Sequence, residues 1–162
     1  MKKLLYIDLG LLAIAVVLVF AGNKSVHHEH TIKAPVGVVW KTLTEMEKYP
    51  DWNPVMELVE GEVQEGAQVK YRYTQEANKS YVIEATVVKL VPEQLLNQKG
   101  GIPLVLTFNH RYVLEPNGEG TQVTIHEDYR GIGVNFWNPQ PVEAAYQRLN
   151  EALKTRAEQA SI

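Results

Sequence analysis

The chain opens on an apolar stretch and then changes period. Leu4 to Ala21 carries one charge, Asp8, and Leu9 to Ala21 has no polar side chain at all. Such a run reaches the roughly 18 residues that make a helix a candidate bilayer span, and its apolar positions circle the helix instead of forming one face. Two readings fit: an uncleaved anchor over residues 4–21, and a signal peptide cut near Ala21, where Val19-Phe20-Ala21 loosely follows the small-x-small rule. The length of the run and the lack of a clean Ala-x-Ala site favour the anchor. In both cases Lys2 and Lys3 hold the N-terminus in the cytoplasm and send the remainder to the outer, periplasmic or extracellular side. The expected organisation is an anchor and linker over 1–25 and one folded domain over 26–162.

From Val26 to Lys33 the pattern alternates, with Val26, His28, His30 and Ile32 on one face, as in a half-buried strand. Pro35 then suits the first turn of a helix. Val36, Val39, Trp40 and Leu43 follow the spacing of an apolar helical stripe. Thr44-Glu45-Met46-Glu47 fits a capping box and predicts a second short helix that stops before Pro50. Tyr49 to Pro54 reads as an aromatic, proline-pinned loop. Strand signals follow at Val69–Thr74, Ile83–Val88, Leu95–Gln98, Leu104–Leu114 and Gln122–Arg130, with a weaker one at Val55–Glu60. Lys99 to Pro103 closes the third of these, and the turn-rich Pro116–Gly120 joins the last two into a hairpin. Pro141 to Ala160 is helical, with Val142, Ala145, Tyr146, Leu149, Ala152, Leu153 and Ala157 on one face.

This order predicts an α+β fold in which a curved antiparallel sheet wraps around a long C-terminal helix, with two short helices after the first strand. A sheet curled round one helix cannot fill its whole concave side with that helix, so a pocket between the two is expected.

Composition narrows the function classes. The 162 residues hold no cysteine, which excludes disulfides, thiolate metal sites and cysteine nucleophiles. Sixteen Lys and Arg against nineteen Asp and Glu give a net charge of −3, too acidic for a nucleic-acid binder. Without Lys2, Lys3, Lys24 and Asp8, residues 26–162 carry thirteen basic and eighteen acidic side chains, a net of −5. That domain has no electrostatic attraction to anionic lipid, so membrane contact is expected only through residues 4–21. No phosphate-binding glycine loop, nucleophile elbow or zinc-protease motif is present.

Thr31-Ile32-Lys33-Ala34-Pro35, followed by Val38-Val39-Trp40, Leu43-Thr44, Tyr49-Pro50 and Trp52-Asn53-Pro54, resembles the opening of the START-like superfamily. His110-Arg111-Tyr112-Val113-Leu114-Glu115-Pro116, then Gly120-Thr121, Glu127 and Gly131, resembles the last hairpin of that superfamily. This is the helix-grip fold of the polyketide cyclase/dehydrase and lipid-transport proteins (SRPBCC, Bet v 1 relatives included), and the likeness covers residues 26–160. The chain is also similar to bacterial members with one N-terminal membrane segment. The fold hosts lipid carriers, cyclases and cochaperones, so the resemblance implies a cup for a small molecule more firmly than any one activity.

Alternation assigns an inner face. With Leu106 and Phe108 inward, His110 follows; with Val123 and Ile125 inward, Glu127 and Tyr129 follow. Tyr71, Tyr73 and, from the helix, Tyr146 complete a wall of polar-tipped aromatics, with Trp52 at the rim. These eight residues (Trp52, Tyr71, Tyr73, Phe108, His110, Glu127, Tyr129 and Tyr146) are the candidate ligand contacts. An inward carboxylate beside inward imidazoles is a candidate acid/base group, which singles out Glu127 with His110 or His30. His28 and His30 share a strand face about 7 Å apart. Zinc would need a third ligand from His110 or Glu127, and no metal or cofactor is expected.

The leading expectation is a membrane-tethered module that binds a hydrophobic or amphipathic small molecule, lipid or polyketide-like, without catalysis. A cyclase/dehydratase-type enzyme using Glu127 is the alternative. A cochaperone-like interaction domain is a second, disfavoured because the outer face (Lys70, Arg72, Glu84, Thr86, Arg111, Thr124, Asp128) is mostly polar.

Overall fold

In a computed structural model, which describes residues 2–76, 79–118 and 120–161, the elements run α1 (Lys2–Ala21), β1 (Asn23–Ile32), α2 (Val36–Thr44), β2 (Met56–Glu60), β3 (Gln68–Glu76), β4 (Lys79–Val91), β5 (Leu95–Ile102), β6 (Leu106–Asn117), β7 (Gly120–Arg130) and α3 (Gln140–Ala160). The seven strands form one antiparallel sheet in the order β1-β7-β6-β5-β4-β3-β2. Only the β1–β7 pairing departs from a simple meander. α3 packs against β1, β3 and α2, burying Val142, Ala145, Tyr146, Leu149, Leu153 and Ala157. This is the helix-grip arrangement expected from the sequence.

Strand parity is as the alternation predicts. β7 buries Thr121, Val123, Ile125, Glu127 and Tyr129 in strict period two, and β6 buries His110, Tyr112 and Leu114. Register shifts at Leu58/Glu60, Thr74/Glu76 and Val87/Lys89 bend the far half of the sheet, because each bulge adds local twist.

Several local expectations are corrected. The capping box does not form: Thr44 is the last residue of α2, and its hydroxyl donates back to the Trp40 carbonyl at 2.9 Å. The second helix is a 3-10 turn over Met46–Asp51 with Pro50 inside it. Beyond it, Asn53 Oδ1 accepts from the amides of Val55 and Met56 at 2.9 and 3.0 Å and steers the chain into β2. β5 does not close at Lys99; it runs on to Ile102, paired with β4 as far as Gly100 and with β6 throughout. Gly100 is required there, since a Cβ would overlap the Glu84 carbonyl and crowd the Phe108 ring. A further 3-10 turn, Ile132–Phe136, has no counterpart in the sequence reading.

The N-terminal segment is the largest correction. α1 is helical, and most of its described apolar side chains, such as Leu12 and Val17, are exposed, while Leu18 and Val19 are half-buried. Its last turn is held by the domain. Asn135 Nδ2 donates to the Leu18 carbonyl at 2.8 Å, and the Gly131 amide donates to the Gly22 carbonyl at 3.0 Å. Gly22 lies so close to Gly131 that a Cβ would overlap its carbonyl oxygen. Between Asp8 and the docked Leu18 turn only residues 9–17 remain, well short of the roughly 20 that a helix needs to cross. Among the described residues no helix is long and apolar enough to cross a membrane. The anchor over residues 4–21 is thereby overturned, together with the single-pass placement of the domain outside a membrane.

Candidate functional site

The bend of β3, β4 and β5 carries the sheet away from the N-terminal part of α3 and leaves a cavity of about 960 Å³. That lies at the upper end of the roughly 300–1,000 Å³ typical of small-molecule sites. Ile83, Ala85, Leu106, Phe108, Trp137 and Val142 supply its apolar wall. Its mouth is rimmed by exposed Val82, Ile102 and Phe136.

At the inner end four polar side chains meet. Glu127 is 4% exposed and His110 5%. They are cross-strand partners on β7 and β6. Tyr129, two residues along the same face of β7, and Tyr146, on the buried stripe of α3, both donate their hydroxyls to Glu127 Oε2. The Tyr146 oxygen also lies 3.1 Å from His110 Nδ1. A phenol has one hydrogen, and that of Tyr146 is already given to Glu127. His110 Nδ1 therefore donates to the Tyr146 oxygen, and in the tautomer that carries its one hydrogen there Nε2 is an acceptor. Among the described residues His110 Nε2 is buried without a hydrogen-bond partner, as is the Tyr73 hydroxyl. Nearby, Gln98 Nε2 donates to the Tyr71 hydroxyl at 2.5 Å, and Tyr71 donates to Met46 Sδ at 3.2 Å.

Burial dominates the acidity of these phenols. It pushes Tyr71 up to about 12 against the opposing hydrogen bond from Gln98. Tyr73, Tyr129 and Tyr146 are raised well above the ordinary tyrosine range, first by burial and then by the negative charge of Glu127.

Of the residues singled out by pattern, Tyr71, Tyr73, Phe108, His110, Glu127, Tyr129 and Tyr146 all line the cavity. Trp52 does not. It stacks edge-on against Tyr49, ring centres 4.8 Å apart, and lines a separate cleft between the Asp51–Pro54 loop and the outer side of α3. His30 is also elsewhere. It lies between β1 and α3, where burial and then the positive charges of Lys154 and His28 lower its pKa. His28 is tied to Asn150 at 2.7 Å. His27 lies on the opposite face, against His126 at 3.3 Å, so the three clustered histidines do not converge. Among the described residues no group of three or more His, Asp or Glu side chains is arranged to hold a metal.

Sequence reasoning missed Gln98, Trp137 and the buried Asn150. Gln98 was within reach, because it shares its strand face with Leu96. Asn150 follows Leu149 on the buried side of α3. Trp137 follows the unforeseen 3-10 turn and had no periodic signal.

No curated protein matches the chain in sequence. Its fold is shared by solved structures of low sequence identity. A protein of Chromobacterium violaceum is 14% identical with a TM-score of 0.69, covering 83% of this chain and 97% of its own. The major latex-like protein 151 of Panax ginseng is 16% identical with a TM-score of 0.69, covering 84% and 98%. The di-domain ARO/CYC StfQ from the steffimycin biosynthetic pathway is 14% identical with a TM-score of 0.70, covering 85% of this chain and 52% of its own. These likenesses show the fold. The sequence itself matches the model of the polyketide cyclase/dehydrase and lipid transport family over residues 24–158, and the chain belongs to that family.

Proposed function

We propose that residues 26–162 form a binding domain that holds a hydrophobic or amphipathic small molecule between the sheet and α3. The observation that carries this reading is the cavity, apolar along its wall and closed by a hydrogen-bonded polar cluster at its inner end. Apolar burial supplies the affinity, at about 25 cal/mol per Å² removed from water. The polar cluster orients the ligand.

The test uses the full chain. A neutral phenylnaphthylamine dye should brighten on binding, and native mass spectrometry should show a passenger that leaves on denaturation. Val142→Trp places an indole in the cavity and should abolish dye uptake while the fold persists by circular dichroism. Dye uptake unchanged by Val142→Trp, or no uptake and no passenger in the unaltered chain, overturns the reading.

One observation favours a second reading, acid/base catalysis of the cyclase or dehydratase type. His110, Tyr146 and Glu127 form a continuous hydrogen-bonded chain ending in the bare His110 Nε2, a group able to take a proton from a bound substrate. Turnover of a polyketone-like substrate that survives Glu127→Gln unchanged would remove Glu127 from that role.

A further inference from the structure

Building on the binding reading, we propose that the ligand is a cationic amine on an apolar body, its ammonium seated against Glu127 and His110 at the inner end of the cavity.

The first argument is charge. Among the described residues that line the cavity none is Lys or Arg. Its carboxylates are Glu127 and Glu84. Glu84 is exposed at the rim, within 3.7 Å of Lys70. Glu127 is buried, and a carboxylate taken out of water is costly unless paired. Its partners are two neutral phenols, both on Oε2, and Oε1 receives no hydrogen bond from the described side chains. Arg148, whose charge acts on Tyr73, is exposed on α3 and bonded to the carbonyls of Ala144 and Gln75. His110 stands 3.6 Å from Glu127 Oε2, too far for a direct hydrogen bond, and its Nδ1 is occupied by Tyr146.

The second argument counts hydrogens. Glu127 Oε1 and His110 Nε2 are acceptors without donors among the described residues, while the unpartnered Tyr73 hydroxyl can accept or donate. A ligand that completes this end must bring several donors and a positive charge. An alkylammonium has three donors and no acceptor. An alcohol brings one donor and leaves Glu127 uncompensated; a carboxylate sets a like charge beside it.

The third argument is the wall. Tyr71, Tyr73, Phe108, Tyr129, Trp137 and Tyr146 all face this cavity, and aromatic faces attract cations.

The experiment compares dodecylamine, dodecanol and dodecanoate as displacers of the neutral dye at neutral pH, on the full chain. The amine should bind at least about tenfold more tightly than either neutral or acidic analogue, as a desolvated charge-assisted pair allows. Glu127→Gln should bring the amine down to the level of the alcohol. If Glu127→Gln does not fold, the ranking on the unaltered chain decides alone. Dodecanol or dodecanoate displacing the dye as well as dodecylamine overturns the amine assignment and leaves the cavity reading standing. Failure of all three to displace it overturns the amine assignment, whereas failure of the dye itself to bind overturns both.

Discussion

Glu127 and Asp128 are neighbours on β7, and the strand turns them to opposite faces of the sheet. Asp128, on the outer face and about a third exposed, accepts from Arg111 Nη2 at 2.5 Å and lies 3.0 Å from His126 Nε2. Glu127, on the inner face, has only phenol donors among the described residues, which also place no lysine or arginine beside it in the cavity wall. Outside, a carboxylate is neutralised by cations and screened by water. Inside, it is held in place by donors that leave its charge intact. A charge kept uncompensated in an apolar chamber is available to something that enters, which separates a site from a surface ion pair.

The interior side of this contrast can be broken most strongly with alkali. Tyr49, Tyr71, Tyr73, Tyr112, Tyr129 and Tyr146 all have raised pKa values, chiefly through burial. Above pH 10, the ordinary tyrosine value, the unfolded chain releases protons that the folded chain retains. Stability is therefore full below that pH and falls as pH rises through the folded values. The slope approaches about 1.4 kcal/mol per pH unit for each tyrosine. Urea midpoints should drop steeply above pH 10; a flat profile there contradicts the buried phenols.

Alanine at each carboxylate sharpens the contrast. Glu127→Ala strands two buried hydroxyls and should destabilise by about 1–3 kcal/mol, independently of salt. Asp128→Ala should cost no more than about 1 kcal/mol, and added salt should shrink that cost. Equal losses with equal salt dependence would erase the distinction.

The smallest effect belongs to His30. Its folded pKa lies below the ordinary 6.5, so its contribution is complete above that value and is lost as pH falls through the folded pKa. His30→Gln should flatten the acid side of the stability profile in that window. An unchanged profile would show that His30 titrates as in the unfolded chain.

Much of this site was legible by parity. Once Val123 and Ile125 are inward, β7 has no way to turn Glu127 outward without a bulge, and its register with β6 shows none. His110 follows from Phe108, and Tyr146 from the α3 stripe. The run through Gly100-Gly101 was not legible, because glycine argues locally against a strand while the β6 ladder, joined by β4 at Gly100, overrides it. Trp52 was misplaced because a loop has no period from which to assign a side. Hydropathy misread α1, since it counts apolar residues and does not register that Leu18 is bonded to Asn135. Which oxygen of Glu127 is occupied, and which nitrogen of His110 is bare, depends on three elements meeting and is invisible in any one of them.

That bond gives the N-terminal helix a mechanical place. Asn135 grips α1 through the Leu18 carbonyl; the residues that follow it, Phe136 and Trp137, stand at the cavity. On the other side, Lys24 Nζ reaches the Trp137 carbonyl at 2.5 Å. The helix and one jamb of the cavity's doorway thus hang from the same short turn.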